Sequence, residues 1–139
     1  MRDTHFLLNG AEVTAQGAPD RLLLDVLRED FGLHGPKYGC GLAQCGACSV
    51  LVDGQAARAC VLRVGRVAGR QVVTLEGLAA ADGTLHPVQQ AFVDAQGAQC
   101  GYCLNGMVIS TVALLAANPS PSPEDIRQGL RDTLCRCGT

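Results

Sequence analysis

The sequence has little net charge and no strongly basic segment. Its 139 residues include 11 Lys and Arg against 13 Asp and Glu, which gives a formal net charge of -2 at pH 7. A surface that binds nucleic acid or anionic lipid normally concentrates Lys and Arg. The composition therefore argues against nucleic acid or a membrane surface as the main partner.

Long hydrophobic runs are also missing. The apolar run at 6–8 stops at an Asn-Gly pair, which is too early for a secretory signal peptide. The longest later apolar stretch, 107–117, contains two hydroxyl residues and is too short to cross a bilayer. We expect a soluble, cytoplasmic protein that does not insert directly into a membrane.

Cysteine, by contrast, is abundant, with eight residues in the chain. Thiols are kept reduced in a reducing compartment, so four structural disulfides are not expected there. Metal binding is then the expected use of these cysteines.

The first half of the sequence alternates strand, turn and helix signals. Its predicted elements are a hairpin of 6–8 and 11–14 around Asn9-Gly10, a helix between 19 and 32, a second hairpin of 49–52 and 55–60, and a strand at 71–75. A hairpin, a helix and returning strands together predict an α+β unit.

The second half contains helix signals and no convincing strand. Helices are predicted over 88–95 and 106–117, and a third begins after Ser122, where an N-cap is followed by Pro and two acids. His86, before Pro87, is interpreted as a helix N-terminal residue. Residues 76–84 resemble a linker, so we expect domains at 1–78 and 79–139.

Four cysteines lie in the first half, at Cys40, Cys45, Cys48 and Cys60. The spacing C-x4-C-x2-C with a later fourth cysteine is typical of plant-type [2Fe-2S] sites. Glycines at 39, 41 and 46 would let the backbone turn sharply around the sulfurs. A four-thiolate zinc site is the alternative, but zinc ribbons usually pair two C-x2-C motifs.

The other four cysteines are Cys100, Cys103, Cys135 and Cys137. The first pair precedes one predicted helix and the second pair follows another, so an antiparallel arrangement of these helices would bring the four thiols together. Spacing alone leaves both an iron-sulfur cluster and zinc open at this site.

With both sets in view, the chain resembles the small iron-sulfur subunit, or N-terminal iron-sulfur region, of the xanthine oxidase family of molybdenum hydroxylases. The motifs that carry the resemblance are GPKYGCGLAQCGACSV (35–50), RAC (58–60), HPVQQAF (86–92), QCGYCLNGM (99–107) and LCRCGT (134–139). The resemblance implies a β-grasp, plant-type ferredoxin-like domain followed by an all-α four-helix-bundle domain. It also implies that each domain holds one [2Fe-2S] cluster, with the eight cysteines as ligands.

The same resemblance implies a function in electron transfer. Electrons would pass singly from the molybdopterin cofactor of a large catalytic subunit, through the two clusters, to an external acceptor such as a haem or flavin subunit. The substrate would be an N-heteroaromatic compound, as in the nicotinate and isoquinoline enzymes, or an aldehyde. Gln99 matches the family glutamine that hydrogen-bonds the pterin, and no catalytic residue is expected in this chain.

Two alternatives remain at this stage, a stand-alone two-cluster electron carrier or redox sensor and a structural zinc protein. The chain also departs from the commoner family pattern at two places. Leu104-Asn105 stands where many members have Thr-Pro, and Gly138-Thr139 follows the last cysteine where many have another pair.

Overall fold

A computed structural model describes residues 2–137 of the protein, so Gly138-Thr139 lies outside the described residues. A mixed five-stranded sheet forms the first half. The strands are β1 (Thr4–Leu8), β2 (Ala11–Ala15), β3 (Ser49–Val52), β4 (Gln55–Arg58) and β5 (Gln71–Val73). They lie in the order β2-β1-β5-β3-β4. The pair β1 and β5 is parallel, and the other neighbours are antiparallel.

Both predicted hairpins are present, and their turns have the backbone that a tight hairpin requires. Asn9 and Gly10 have φ of 52° and 85°, and Asp53 and Gly54 have φ of 51° and 83°. Two consecutive left-handed residues match the twist of the flanking strands. The Asn-Gly and Asp-Gly pairs therefore set the register of each hairpin.

Two predicted strands end earlier than expected. β4 stops at Arg58 instead of residue 60, because the chain turns there and the carbonyl of Ala59 accepts from the N–H of Leu24 at 3.0 Å. β5 stops at Val73 instead of residue 75, because Leu75–Gly77 forms a 3-10 turn.

The helix predicted between 19 and 32 packs on the sheet. It consists of α1 (Leu23–Asp25) and a π-helical continuation, Val26–Asp30, that the sequence pattern did not predict. Its inward side chains are fully buried with those of the sheet, and a 3-10 turn at Val64–Val67 completes the core. The core side chains include Leu23, Leu24, Val26, Leu27, Phe6, Val50 and Val72.

The second half is helical, as predicted. Its helices are α2 (Pro87–Asp94), α3 (Leu104–Ala117) and α4 (Pro123–Leu130). His86 caps α2 by accepting from the N–H of Val88 at 3.1 Å, and Ser122 caps α4 by accepting from the N–H of Asp125 at 3.1 Å. The structure describes these three α-helices between residues 79 and 137, so the four-helix bundle is not confirmed.

Helix α3 connects the two halves. It packs against α2 and α4 in the helical half and against β3 of the sheet. Its first two turns are the most deeply buried part, including Asn105, Val108 and Ile109. None of the helices between residues 2 and 137 is long and apolar enough to span a membrane.

Candidate iron-sulfur sites

The first four cysteines lie together beside the sheet. Cys40, Cys45 and Cys48 belong to the loop before β3, and Cys60 follows β4. Cys48 and Cys60 are buried, whereas Cys40 and Cys45 are half-buried. Cys40 Sγ interacts with Cys45, whose backbone N–H donates to it at 3.3 Å, and the Cys48 thiol interacts with that of Cys60.

Backbone N–H groups of the cysteine loop point at the two half-buried sulfurs. Leu42, Gln44 and Cys45 donate to Cys40 Sγ at 3.2, 3.2 and 3.3 Å. Cys40 and Ala47 donate to Cys45 Sγ, each at 3.4 Å. Such donors stabilise negative charge on sulfur, and for this reason the pKa of Cys40 is lowered to about 7.

Burial has the opposite effect on the inner thiol of this site. It raises the pKa of Cys48 to about 11, because an apolar environment disfavours the thiolate. Iron binds the thiolate, so cluster binding at Cys48 would displace its proton.

Close packing explains glycine in the cysteine loop. A Cβ at Gly39 would lie 2.6 Å from Cys45 Sγ, closer than real contacts allow. Gly41 and Gly46 have φ of 70° and 85°, which favours glycine. Ala43 also has a φ of 61°, a left-handed conformation that is uncommon for alanine and that the sequence did not predict.

The second four cysteines lie together at one end of the helices. Cys100 and Cys103 precede α3, and Cys135 and Cys137 follow α4. Cys100 Sγ and Cys137 Sγ are 3.3 Å apart, and Cys103 contacts Cys135. The Cys135 thiol also interacts with Cys100 and Cys137, so the four thiols form one cluster.

The second site is more open than the first. Cys100 and Cys137 are exposed, and Cys103 and Cys135 are half-buried. The backbone N–H of Tyr102 donates to the Cys100 sulfur and lowers the pKa of that thiol, whereas burial raises the pKa of Cys103. Gln99 is exposed directly before Cys100.

The two cysteine sets face one cleft of about 340 Å³. Cys40 and Cys45 line it from the sheet side, and all four cysteines of the second set line it from the helical side. The N–H of Leu134 donates to the carbonyl of Cys45 at 2.8 Å, and Tyr102 Oη donates to the carbonyl of Tyr38. The two sites are therefore neighbours.

The arrangement of the thiols fits a two-iron cluster. A [2Fe-2S] cluster has two irons, each of which takes two thiolates, whereas zinc takes all four on one ion. Each set supplies the four thiolates that one such cluster needs.

The sequence pattern did not identify two residues that hold the sites together. Arg58 donates to Ser49 Oγ at 2.6 Å and to the carbonyl of Asp132 at 2.8 Å, across the two halves. Asn105 is completely buried and donates to two backbone carbonyls beside Cys48. In the sequence, Arg58 belongs to the RAC motif and Asn105 to the departure from Thr-Pro, but neither signal indicated the contacts that these side chains make.

Two family models match the chain. A 2Fe-2S iron-sulfur cluster binding domain matches residues 6–75, and a [2Fe-2S] binding domain matches residues 74–139.

Curated relatives match nearly the whole chain. A nicotinate dehydrogenase subunit of Pseudomonas putida is 55% identical over 132 residues, which is 95% of this chain and 83% of the relative. An isoquinoline 1-oxidoreductase subunit of Brevundimonas diminuta is 44% identical over 135 residues, which is 96% of this chain and 88% of the relative.

Solved structures share the fold. Aldehyde oxidoreductase from Desulfovibrio gigas has a TM-score of 0.92 at 44% identity, covering 99% of this chain and 15% of that one. Quinoline 2-oxidoreductase from Pseudomonas putida 86 also has a TM-score of 0.92, at 34% identity, covering 98% of this chain and 83% of that one. The β-grasp ferredoxin-like fold of the first half is thus confirmed, and the chain belongs to the xanthine oxidase family of molybdenum hydroxylases, among its small [2Fe-2S] subunits.

Proposed function

We propose that this chain carries electrons, one at a time, from a molybdopterin centre in a large partner subunit to an external acceptor. The observation that carries the proposal is that two four-thiol sites lie next to each other, with thiols of both sites lining one cleft. When bound, each [2Fe-2S] cluster supplies a one-electron carrier. The chain itself binds the clusters, spaces them and shields them in part from water.

We assign one thiol pair to each iron. In the first site, Cys40 and Cys45 would hold one iron, and Cys48 and Cys60 the other. In the second site the pairs would be Cys100 with Cys137 and Cys103 with Cys135. The N–H donors to Cys40 and Cys45 favour negative charge on these sulfurs, which supports the reduced state of a cluster.

The exposed end of the second site is proposed to face the large subunit. Cys100, Cys137 and Gln99 are all exposed there, so a partner surface could approach them directly. Gln99 would hydrogen-bond the pterin, as the family resemblance implies. The first site would then pass electrons on, to a haem or flavin subunit or another acceptor.

The substrate is proposed to be an N-heteroaromatic compound or an aldehyde, bound in the large subunit. The names of the nicotinate dehydrogenase and isoquinoline 1-oxidoreductase relatives support the first class. We further propose domains at 1–78 and 79–139, with the second an all-α four-helix-bundle domain, and a cytoplasmic location.

Purification of the native complex tests this function. We expect a large molybdenum-containing chain to co-purify, and iron and acid-labile sulfide at about four each per small chain, since two [2Fe-2S] clusters contain that number. Zinc without sulfide would contradict the cluster assignment. Clusters without a partner would instead support a stand-alone electron carrier or redox sensor.

Substitution of Gln99 tests its separate role. In the complex, Gln99→Ala should keep both clusters but slow their reduction by substrate, because a hydrogen bond toward the pterin is lost. Gln90→Ala, at an exposed position on α2 where the side chain contacts Asp94, is the matched control. Unchanged cluster reduction in Gln99→Ala would contradict the pterin contact.

A further inference from the structure

Asn105 lies where the helical half meets the cysteine loop. It is the second residue of α3 and is 0% exposed. Its Nδ2 donates to the carbonyl of Ala47 at 2.8 Å and to the carbonyl of Ser49 at 2.9 Å. A flipped amide would place Oδ1 against two acceptors, so the two carbonyls determine which way the amide points.

These contacts join a cysteine of one set to a cysteine of the other. Ala47 and Ser49 are the two neighbours of Cys48 in the chain, and Asn105 follows Cys103 by two residues. A single amide group therefore connects the backbone on both sides of a first-site thiol to the helix end that carries a second-site thiol.

Other hydrogen bonds across the same boundary are more accessible to water. The bonds from Arg58 to Asp132 and from Tyr102 to Tyr38 are exposed, whereas both bonds of Asn105 are buried. Water competes with exposed hydrogen bonds and competes much less with buried ones. The Asn105 contacts are thus the side-chain bonds best suited to hold the boundary rigid.

The helix also approaches the loop very closely beside Asn105. A Cβ at Gly106 would lie 2.5 Å from the carbonyl oxygen of Gly46, so the two backbones are nearly in contact. Asn105 Oδ1 is buried without a hydrogen-bond partner among the described residues. Burial of this unpaired oxygen is unfavourable, and an apolar side chain at the same position would not have that cost. The favourable contribution of Asn105 therefore comes from its two donated hydrogen bonds.

We propose that Asn105 is a positioning residue that sets the separation and orientation of the two cluster sites. The proposal rests on the proposed function, because it requires both clusters. If the eight cysteines hold two [2Fe-2S] clusters, the chemistry these would supply is the transfer of one electron from the second site to the first, without a change in any covalent bond or proton. The rate of such a transfer falls as the two clusters move apart, and the hydrogen bonds that support each site hold it in place.

Two variants of the cluster-loaded complex test the proposal. Asn105→Ala leaves space and Asn105→Leu fills it, and neither side chain can donate a hydrogen bond. Each reduced [2Fe-2S] cluster has one unpaired spin, so pulsed EPR measures the magnetic dipolar interaction between the two clusters. We expect both variants to keep both clusters, but to show a broadened or displaced interaction and slower electron transfer from the second site to the first.

Ser110→Ala is the matched control. Ser110 is also buried on α3, and its hydroxyl lies 3.3 Å from Thr133 Oγ1, within the helical half. Its loss should leave the dipolar interaction and the transfer rate as in the unaltered protein. Any effect common to the two Asn105 variants and absent from this control is then due to the contacts beside Cys48.

The possible outcomes separate the two proposals. A dipolar interaction in the Asn105 variants identical to that of the unaltered protein would overturn the positioning role. Loss of a cluster from both variants would overturn it as well, since the residue would then be needed for loading. An unaltered complex without two clusters would instead contradict the proposed function. If Asn105→Leu does not fold, Asn105→Ala gives the answer alone.

Discussion

The two cysteine sites differ in how the chain builds them. The first takes three of its thiols from one curled loop whose own backbone N–H groups point at Cys40 and Cys45. The second takes its thiols from two segments that lie on either side of α3 and α4. Local geometry therefore organises the first site, whereas the second depends on the packing of two helices.

Exposure separates the sites in the same way. Two thiols of the first site are buried in the hydrophobic core, whereas two thiols of the second are exposed. A redox centre that must exchange electrons with another chain needs an accessible side, and burial on the remaining sides limits contact with water. The loop with Cys60 thus makes a partly buried site, whereas the helices make a site with two exposed thiols.

The largest expected effect is the loss of a cluster when one of its cysteines is replaced. Two single variants, one at each site, test whether the sites load independently. Cys45→Ser should abolish one of two [2Fe-2S] EPR signals and leave the other, because a hydroxyl is a poor substitute for a thiolate ligand. Cys103→Ser should abolish the complementary signal. Loss of both signals in either variant would show that the two sites do not load separately.

A side chain at Gly106, where the two halves meet, should lower the stability of the protein. Gly106→Ala places a Cβ 2.5 Å from the carbonyl oxygen of Gly46, so the backbone must move. Overpacking of this kind costs about 1–3 kcal/mol, and we expect the free energy of unfolding to fall by that amount.

Gly129→Ala on α4 is the control for this change. Its Cβ would lie 2.9 Å from Leu114 Cδ2, the far end of a flexible side chain, which can move aside. Alanine also favours the helix over glycine by about 0.5–1 kcal/mol. Chemical denaturation should therefore show a lower free energy of unfolding for Gly106→Ala and a higher one for Gly129→Ala, each relative to the unaltered protein. Equal stability of the two variants would contradict the close approach of the backbones.

Arg58 should influence the first site more than the second. Arg58→Gln removes bonds to Ser49 Oγ and to the carbonyl of Asp132, and we expect a loss of about 1 kcal/mol in the free energy of unfolding. The positive charge of Arg58 also favours the Cys48 thiolate, so its removal should lower the reduction potential of the first cluster.

Redox titration of the two clusters measures this effect. Arg70→Gln is the control, since the Arg70 side chain makes an exposed ion pair with Asp53 at 3.7 Å, and such pairs contribute about 0–1 kcal/mol. A potential that shifts equally at both sites, or at neither, would count against a local role of Arg58.

The smallest expected effect is a difference in alkylation rate between the outer and inner thiols, which both sites have in common. Each has an outer thiol with a lowered pKa, Cys40 or Cys100, and an inner thiol whose pKa burial raises, Cys48 or Cys103. Because the thiolate is the reactive form, the outer thiols should be alkylated first in the cluster-free chain at pH 7. With a pKa of about 7, Cys40 should react more slowly as the pH falls below that value.

Peptide mass spectrometry after brief alkylation gives this order directly. Alkylation of Cys48 before Cys40 would contradict the difference in pKa at the first site. A reversed order at the second site alone would show that the helical site opens when it contains no cluster.

Much of the fold was predictable because its signals are local. The Asn-Gly and Asp-Gly pairs predict the two hairpins, and Ser122 with Pro123 predicts the start of α4. The π-helical turn at Val26–Asp30 and the early end of β4 were not predictable, since contacts with distant residues determine them.

By itself, the sequence determined that there are two cysteine sets, one beside strands and one beside helices, because ligand spacing and turn signals act over a few residues. Only the tertiary structure decided which thiols contact each other, that both sets face one cleft, and that Asn105 spans the boundary. Asn105 and Ala47 are 58 positions apart, and no short-range pattern encodes a contact of that length. Such contacts arise from the packing of α3 against the sheet.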